Sequence, residues 1–319
     1  MNILIFFYKI EIYLKIHLFK LNRMDNFINK KRVLNKTLER IAITCGDAGE
    51  NHQGMSMEGN LGEEGTGFTI TDLKNIKKYL EERGKECEYI DLYNTKEAGL
   101  YNTKEAGVLI LRNYISEDDI QKLYDELTSV EWDTKYYDTR RQKVLNKNAR
   151  ENLLFLKGKS QEPDYENKKG RIVDINSLPQ FNLVLDNLFE IINKETNGKA
   201  TNLIAEGNRY LKQKIVNNKL KKVNHGIGWH GDAERRKVIC ISIGGKNFPM
   251  YWQWFYKHKP INDKPFKILL NSGDIYIMSE EAVGQKWKNS SQYTLRHCAG
   301  HENFTKYKKE WIEYLENKK

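Results

Sequence analysis

From about residue 200 the chain breaks into short apolar runs separated by turns. They read NLIAEGNRYL, NHGIGWHGD, RKVICISIG, PMYWQWFY, FKILLN, DIYIMS and SQYTLRHC. Short strands at even spacing predict an all-β sandwich or jelly roll, because each strand buries one face against a second sheet. In MYWQWFY, Trp252, Trp254 and Tyr256 fall on one face, and Tyr251, Gln253 and Phe255 on the other. Apolar residues on both faces predict cover on both.

The first half reads differently. ERIAITC (39–45) predicts a strand, and a stretch with seven glycines follows up to Phe68. That stretch lacks the GK[ST] of a phosphate-binding P-loop, so it reads as a structured loop. A helix is expected from about Thr71-Asp72, with Leu73, Ile76 and Leu80 as its stripe and Gly84 as its stop. ECEYIDLY predicts another strand. LYNTKEAG then occurs twice in succession, at 92–99 and 100–107. Two copies of eight residues are too short for a solenoid and fit a tandem duplication in a surface loop. The repeat marks the expected boundary between a small α/β region, 24–106, and a main domain, 107–319. After VLILRNYI, Ser116 to Asp119 resembles a capping box, with Ile120, Leu123, Tyr124 and Leu127 behind it. Pro179 opens a second amphipathic helix carrying Phe181, Val184, Leu185, Leu188, Ile191 and Ile192. A last helix is expected to place Tyr307, Trp311, Tyr314 and Leu315 on one stripe.

The first 23 residues are apolar but are interrupted by Lys9, Glu11, Lys15, His17 and Lys20. No uncharged run reaches the ~20 residues of a membrane span, and no cleavage site follows. They read as an amphipathic surface anchor or as an extension ahead of a true start at Met24. The four cysteines are widely spaced, with no CxxC, as expected of free thiols in a reducing compartment. A cytoplasmic or nuclear location is expected, without secretion. The formal net charge is +10, which leans toward an anionic partner such as nucleic acid, or reflects a lysine-rich genome.

One tripeptide carries chemistry. His230-Gly231-Asp232 places an imidazole and a carboxylate two residues apart, on one face of a strand. The glycine between them leaves room for a metal or cosubstrate to approach the backbone. Two histidines and a carboxylate are a common ligand set for ferrous iron, with positions left open for cosubstrate and dioxygen. The third ligand must come from elsewhere. His297, at a strand end, is the candidate, with Glu280 or Glu281 as an oxygen alternative. His297 is adjacent to Arg296, and neighbours on a strand face opposite ways unless the strand bulges or ends. His225 is expected on the face opposite His230, and His258 at a solvated turn. Lys212, Lys214, Lys219, Lys221 and Lys222 form either a phosphate-gripping hairpin or a solvated loop. Tyr136 and Tyr137, in the basic 135–150 segment, are either base-stacking residues or ordinary rim tyrosines.

NRY, IGWHGD, SIG, GDIYIM and TLRHCAG follow one another in the order of landmarks in the AlkB-like 2-oxoglutarate/Fe(II) dioxygenases. VLILRNYISEDDIQKLYDEL also resembles the opening strand and helix of that family. The resemblance spans about 107–301 and is nearest to members encoded by large DNA viruses, whose N-terminal segments resemble GDAGENHQGM. It implies an α+β fold with a jelly-roll core and flanking helices, and an N-terminal α/β extension. It also implies Fe(II), 2-oxoglutarate and dioxygen as reactants, with succinate and CO2 released. His230 and Asp232 match the metal-binding pair, Asn208 and Tyr210 the pair that hydrogen-bonds 2-oxoglutarate, and Arg296 the arginine that pairs with its carboxylate. Two positions depart from the pattern. Lys286-Trp287-Lys288 stands where the distal histidine is usual, and Ser290 where a further arginine is usual. The expected reaction is oxidative dealkylation of a nucleic-acid base. A protein side-chain hydroxylase and a catalytically inactive nucleic-acid-binding module are the alternatives.

Overall fold

A computed structural model describes residues 38–92, 105–216 and 219–318. The apolar N-terminal segment, 1–23, and most of the LYNTKEAG repeat lie outside those residues. The fold is mixed α+β, with two large antiparallel sheets and few helices.

The larger sheet has eight strands. In spatial order they are Cys87–Asp91, Gly107–Leu111, Ile275–Met278, Val238–Ile243, Leu38–Gly46, Ile204–Leu211, Glu151–Leu156 and Ile172–Asp174. Only the last pair is parallel. Gly226–His230, Thr294–Gly300, Phe248–Tyr256 and Phe266–Leu270 run side by side in the smaller sheet, where Lys259–Pro260 extends the far end of Phe248–Tyr256. The seven strands expected after residue 200 are all present.

The division expected at 106/107 does not separate two folded units. Leu38–Gly46 lies in the middle of the larger sheet, between Ile204–Leu211 and Val238–Ile243, and Cys87–Asp91 pairs with Gly107–Leu111. A strand that pairs on both sides with residues about 165 and 200 positions away is not part of a local α/β element. Local periodicity reveals a strand and carries no information about such distant partners.

Period-two alternation sorts the central strand between two cores. Ile41, Ile43 and Cys45 face the helices Ile70–Glu81, Glu117–Ser129 and Pro179–Thr196 across an apolar layer with Leu73, Leu123, Phe181 and Leu188. Arg40, Ala42 and Thr44 face the smaller sheet and line a cavity. The helices form as their sequences predict. Thr69 and Asp72 make a reciprocal capping box, Ser116 accepts from the Asp119 amide, and Pro179 occupies the first turn of its helix. Past the Ile70–Glu81 helix, Gly84 takes the left-handed φ of 74°.

The second core lies between the sheets, where Trp252 and Trp254 are fully buried against Val238, Tyr276 and Met278. The opposite face of the Phe248–Tyr256 strand is covered as expected. Phe255 packs edge-on against Trp311 at 5.2 Å, and Gln253 donates to the Tyr307 hydroxyl at 2.8 Å. Tyr307 precedes the final helix, Lys309–Glu316, so the expected stripe is split between an irregular segment and a helix.

Candidate metal centre and cavity

The Gly226–His230 strand ends at the histidine, and its register with Thr294–Gly300 shifts between Ile227 and His230. That irregularity sets His230 opposite His297, with ring centroids 4.4 Å apart. Asp232 follows in the turn. Its Oδ1 lies 3.5 Å from His230 Nε2 and 3.6 Å from His297 Nε2. One donor atom from each of the three residues falls within 4.8 Å of the other two. His297 is therefore the residue that the fold brings to the pair. Glu280 is not. Its carboxylate accepts from the Gly65 and Gly67 amides and pairs with Arg236 at 3.0 Å. Glu281 does not join the triad either.

The glycine of the motif serves a purpose other than the expected one. A Cβ on Gly231 would sit 2.1 Å from the Gly284 carbonyl oxygen. The Asp232 amide donates to the Val283 carbonyl at 3.0 Å, so the turn is locked against the Glu280–Val283 helical turn. Gly231 admits a neighbouring backbone, which leaves no room there for a ligand.

The protonation pattern suits a cation. His230 Nδ1 faces the carbonyls of Gly228 at 2.8 Å and His297 at 3.1 Å. A nitrogen between two carbonyl oxygens carries the proton, which leaves Nε2 as a free lone pair toward Asp232. Burial and the neighbouring His230 hold His297 toward its neutral form, against the pull of Asp232. Burial works against the Asp232 charge, but the His230 and His297 rings at 3.5 and 3.6 Å, with the charge of Arg235, outweigh it and keep the carboxyl well below its usual range. Arg235 is itself buried and is held by Glu206 at 2.8 Å and Glu234 at 3.0 Å. Two imidazoles and one carboxylate are the donor set of a borderline divalent cation.

The triad opens into a cavity of about 880 Å³ between the two sheets. Trp252 backs His297, with ring centroids 6.5 Å apart, and contacts Tyr276 edge-on at 6.3 Å. Asn208 and Tyr210, the expected cosubstrate pair, both line this cavity. Asn208 Oδ1 accepts from Asn152 at 2.6 Å.

Arg296 corrects the expectation. It reaches the rim of the cavity, but it pairs across the sheet with Gln253, on the face away from His297. Its guanidinium lies over Phe255 at 4.4 Å, donates to the Trp287 carbonyl and meets His258 Nδ1 at 2.7 Å. The strand stays regular here, so adjacent residues face opposite ways. Arg150, Arg235 and Arg296 also line the cavity, and Arg40 joins them from the central strand, on the face turned toward the smaller sheet. Arg40 is 2% exposed, and its Nε and Nη1 have no partner. Sequence reasoning missed it. The available signal was an arginine at the head of the apolar run IAITC.

The remaining candidates fall into place. His225 lies away from the triad, beside Phe248, and His258 is exposed at a left-handed turn. Gln213–Val216 and Lys219–Lys222 pair as a ribbon, and Lys219, Lys221 and Lys222 are exposed. Tyr136 stacks on His52 with ring centroids 3.7 Å apart, and His52 lines the cavity. Among the described residues, no helix is long and apolar enough to cross a membrane.

No described protein-family pattern matches the chain. It is 36% identical over 271 residues to Uncharacterized protein R156 of Acanthamoeba polyphaga mimivirus, covering 84% of this chain and 98% of that protein. The chain belongs to the family of that mimivirus protein.

Proposed function

We propose that the protein is a jelly-roll dioxygenase that uses Fe(II) and 2-oxoglutarate, and that its substrate is a modified nucleic-acid base. The observation that carries this reading is the convergence of His230, Asp232 and His297 at one end of the cavity between the sheets. Four strands of each sheet fit a double-stranded β-helix in which Leu38–Gly46, first in the described chain, takes the ring-closing place after Thr294–Gly300. Glu39 and Gly300 line one shallow depression, which supports that placement.

His230, Asp232 and His297 would hold the iron, and the bound metal would supply the redox chemistry that activates dioxygen. The protein's own residues supply the rest. The two carbonyls at His230 Nδ1 fix its tautomer, and His230, His297 and Arg235 around Asp232 hold it ionised. Trp252 and Tyr276 keep bulk water from the buried side of His297.

Three features favour a nucleic-acid substrate. The net charge is +10, the Lys219–Lys222 ribbon presents three exposed lysines, and a stacked His52–Tyr136 pair flanks the cavity. The test is incubation of methylated oligonucleotides with the protein, Fe(II) and 2-oxoglutarate. Formaldehyde and succinate released in equal amounts support the reading. Succinate formation that no oligonucleotide stimulates, with oligonucleotide binding insensitive to salt, counts against the nucleic-acid substrate.

A further inference from the structure

The charges that line the cavity are sorted. Its carboxylates Glu50, Glu206 and Glu234 gather round Arg235, which pairs with the last two at 2.8 and 3.0 Å. Past His230 and Trp229 the lining holds four cations and no acid: Lys288, Arg296, Lys306 and Lys308. Arg296 is 5% exposed, its Nη2 is spent on the His258 ring and the Trp287 carbonyl, and its Nε is buried without a partner. No carboxylate among the described residues offsets its charge. Lys288 and Lys306 are exposed and in no ion pair with a described residue, and Lys308 has only a loose, exposed contact with Glu310 at 3.8 Å. Rings fill the ground between these cations. Arg296 lies over Phe255 at 4.4 Å and over Trp287 at 5.2 Å, and Phe255 touches Trp311 and Trp229 at 5.2 and 5.7 Å. Lys288 lies over Trp287 at 5.7 Å and Lys308 over Trp311 at 5.1 Å. Trp229 and Trp287 are half-buried, and Trp229 immediately precedes His230, so this face begins at the triad.

We propose that this face of cations and rings is the track of a single-stranded nucleic acid. Its phosphates lie along Lys288, Lys306 and Lys308, with the fixed charge of Arg296 beneath them, and unpaired bases stack on Trp229 and Trp287. The inference deepens the proposed function and rests on it for the purpose of the strand, which is to carry a base to the triad. The binding itself rests on the lining. A phosphate chain supplies the repeated negative charge that cations without acids require. Rings set between the cations call for a partner with flat faces of its own, which an acidic peptide lacks. In a duplex those faces are already stacked inside the helix, so the rings select the single strand. Arg296, which the fold turns away from His297, serves the strand and not the metal.

Fluorescence anisotropy on the metal-free full-length protein tests the track. The probes are a short labelled oligothymidylate, the same strand paired with oligoadenylate, and a labelled oligoglutamate of equal charge. The single strand is expected to bind roughly 10-fold more tightly than the duplex, the size of one base stacked on a tryptophan. Lys288→Ala, Lys306→Ala and Lys308→Ala combined lower the slope of log Kd against log salt by about 2, because each single-strand phosphate contact contributes ~0.7. Trp287→Ala weakens single-strand binding roughly 10-fold, leaves duplex binding unchanged and keeps the slope. A control variant that loses three exposed lysines on the helix side, Lys74, Lys78 and Lys85, keeps the wild-type slope. An equal fall in slope in that control means that overall charge drives binding, and it overturns the assignment. Duplex or oligoglutamate bound as tightly as the single strand also overturns it, as does a triple lysine variant at 288, 306 and 308 that binds like wild type. No metal or 2-oxo acid enters the assay, so these outcomes stand whether or not the dioxygenase reading does. A protein that chelates iron with 2-oxoglutarate and binds no strand loses the track alone.

Discussion

The two faces of the eight-stranded sheet are built from the same strands and have opposite characters. Toward the helices, Leu38–Gly46 presents Ile41, Ile43 and Cys45, and Val238–Ile243 presents Ile239, Ile241 and Ile243. Toward the smaller sheet the same strands present Arg40, Thr44, Cys240 and Ser242. The helix face is apolar and closely packed, which yields stability. The other face holds charged and hydroxyl groups out of water, which costs stability unless a ligand satisfies them. Alternation along one strand thus separates the work of folding from the work of binding, residue by residue.

The comparison breaks most sharply at Phe181, which is fully buried against Phe155 on the helix side with ring centroids 5.0 Å apart. Phe181→Ala is expected to lower unfolding stability by about 4 kcal/mol. Metal affinity of the folded protein should stay at the wild-type value. Urea denaturation together with metal titration checks both halves.

A smaller effect is expected where a charge is buried without full compensation. Lys147 is 5% exposed and donates to the Asn51 carbonyl, and burial pulls its ammonium down to about 8. The unfolded chain keeps this proton to near the usual lysine value of about 10.4. Between those limits the unfolded state binds more protons, so stability contributed at this site rises as pH climbs from 8 to 10.4. The full swing is on the order of 3 kcal/mol. Lys147→Met should flatten that part of the stability-versus-pH curve in denaturant titrations.

Arg235→Met tests the support of the triad. Asp232 would lose the cation that helps to keep it ionised and would keep its histidine contacts. Zinc affinity near neutral pH is expected to fall roughly 10- to 100-fold. The smallest effect belongs to a helix end far from the cavity. Ser116→Ala removes one cap and should cost about 1 kcal/mol in thermal or chemical denaturation, with no effect on metal binding.

Much of this architecture is legible in the sequence because it is local. The strands after residue 200 and the capped helices follow from short-range periodicity and turn chemistry. His230 and Asp232 are legible because two residues of spacing fix their relation. The histidine that joins them, His297, depends on a register shift in a neighbouring strand, which no local pattern records. Arg296 illustrates the opposite hazard. It stands next to the right residue, and alternation sends it to the other face. Arg40 was hidden for a different reason. Its strand is recognisable, but its place between two strands from the far half of the chain is a long-range pairing. The basic segments at 135–150 and 211–224 are visible as charge, and their relation to the cavity is a matter of tertiary placement.

The most direct test of the central claim is anaerobic. Fe(II) and 2-oxoglutarate are added to the purified protein, and the visible charge-transfer band of the chelated complex is recorded. The same titration is run on His230→Ala, His297→Ala and Glu280→Ala. A band in the unmodified protein that disappears in both histidine variants and persists in Glu280→Ala is the predicted result. No band in the unmodified protein, or a band that survives the loss of His297, would contradict the account.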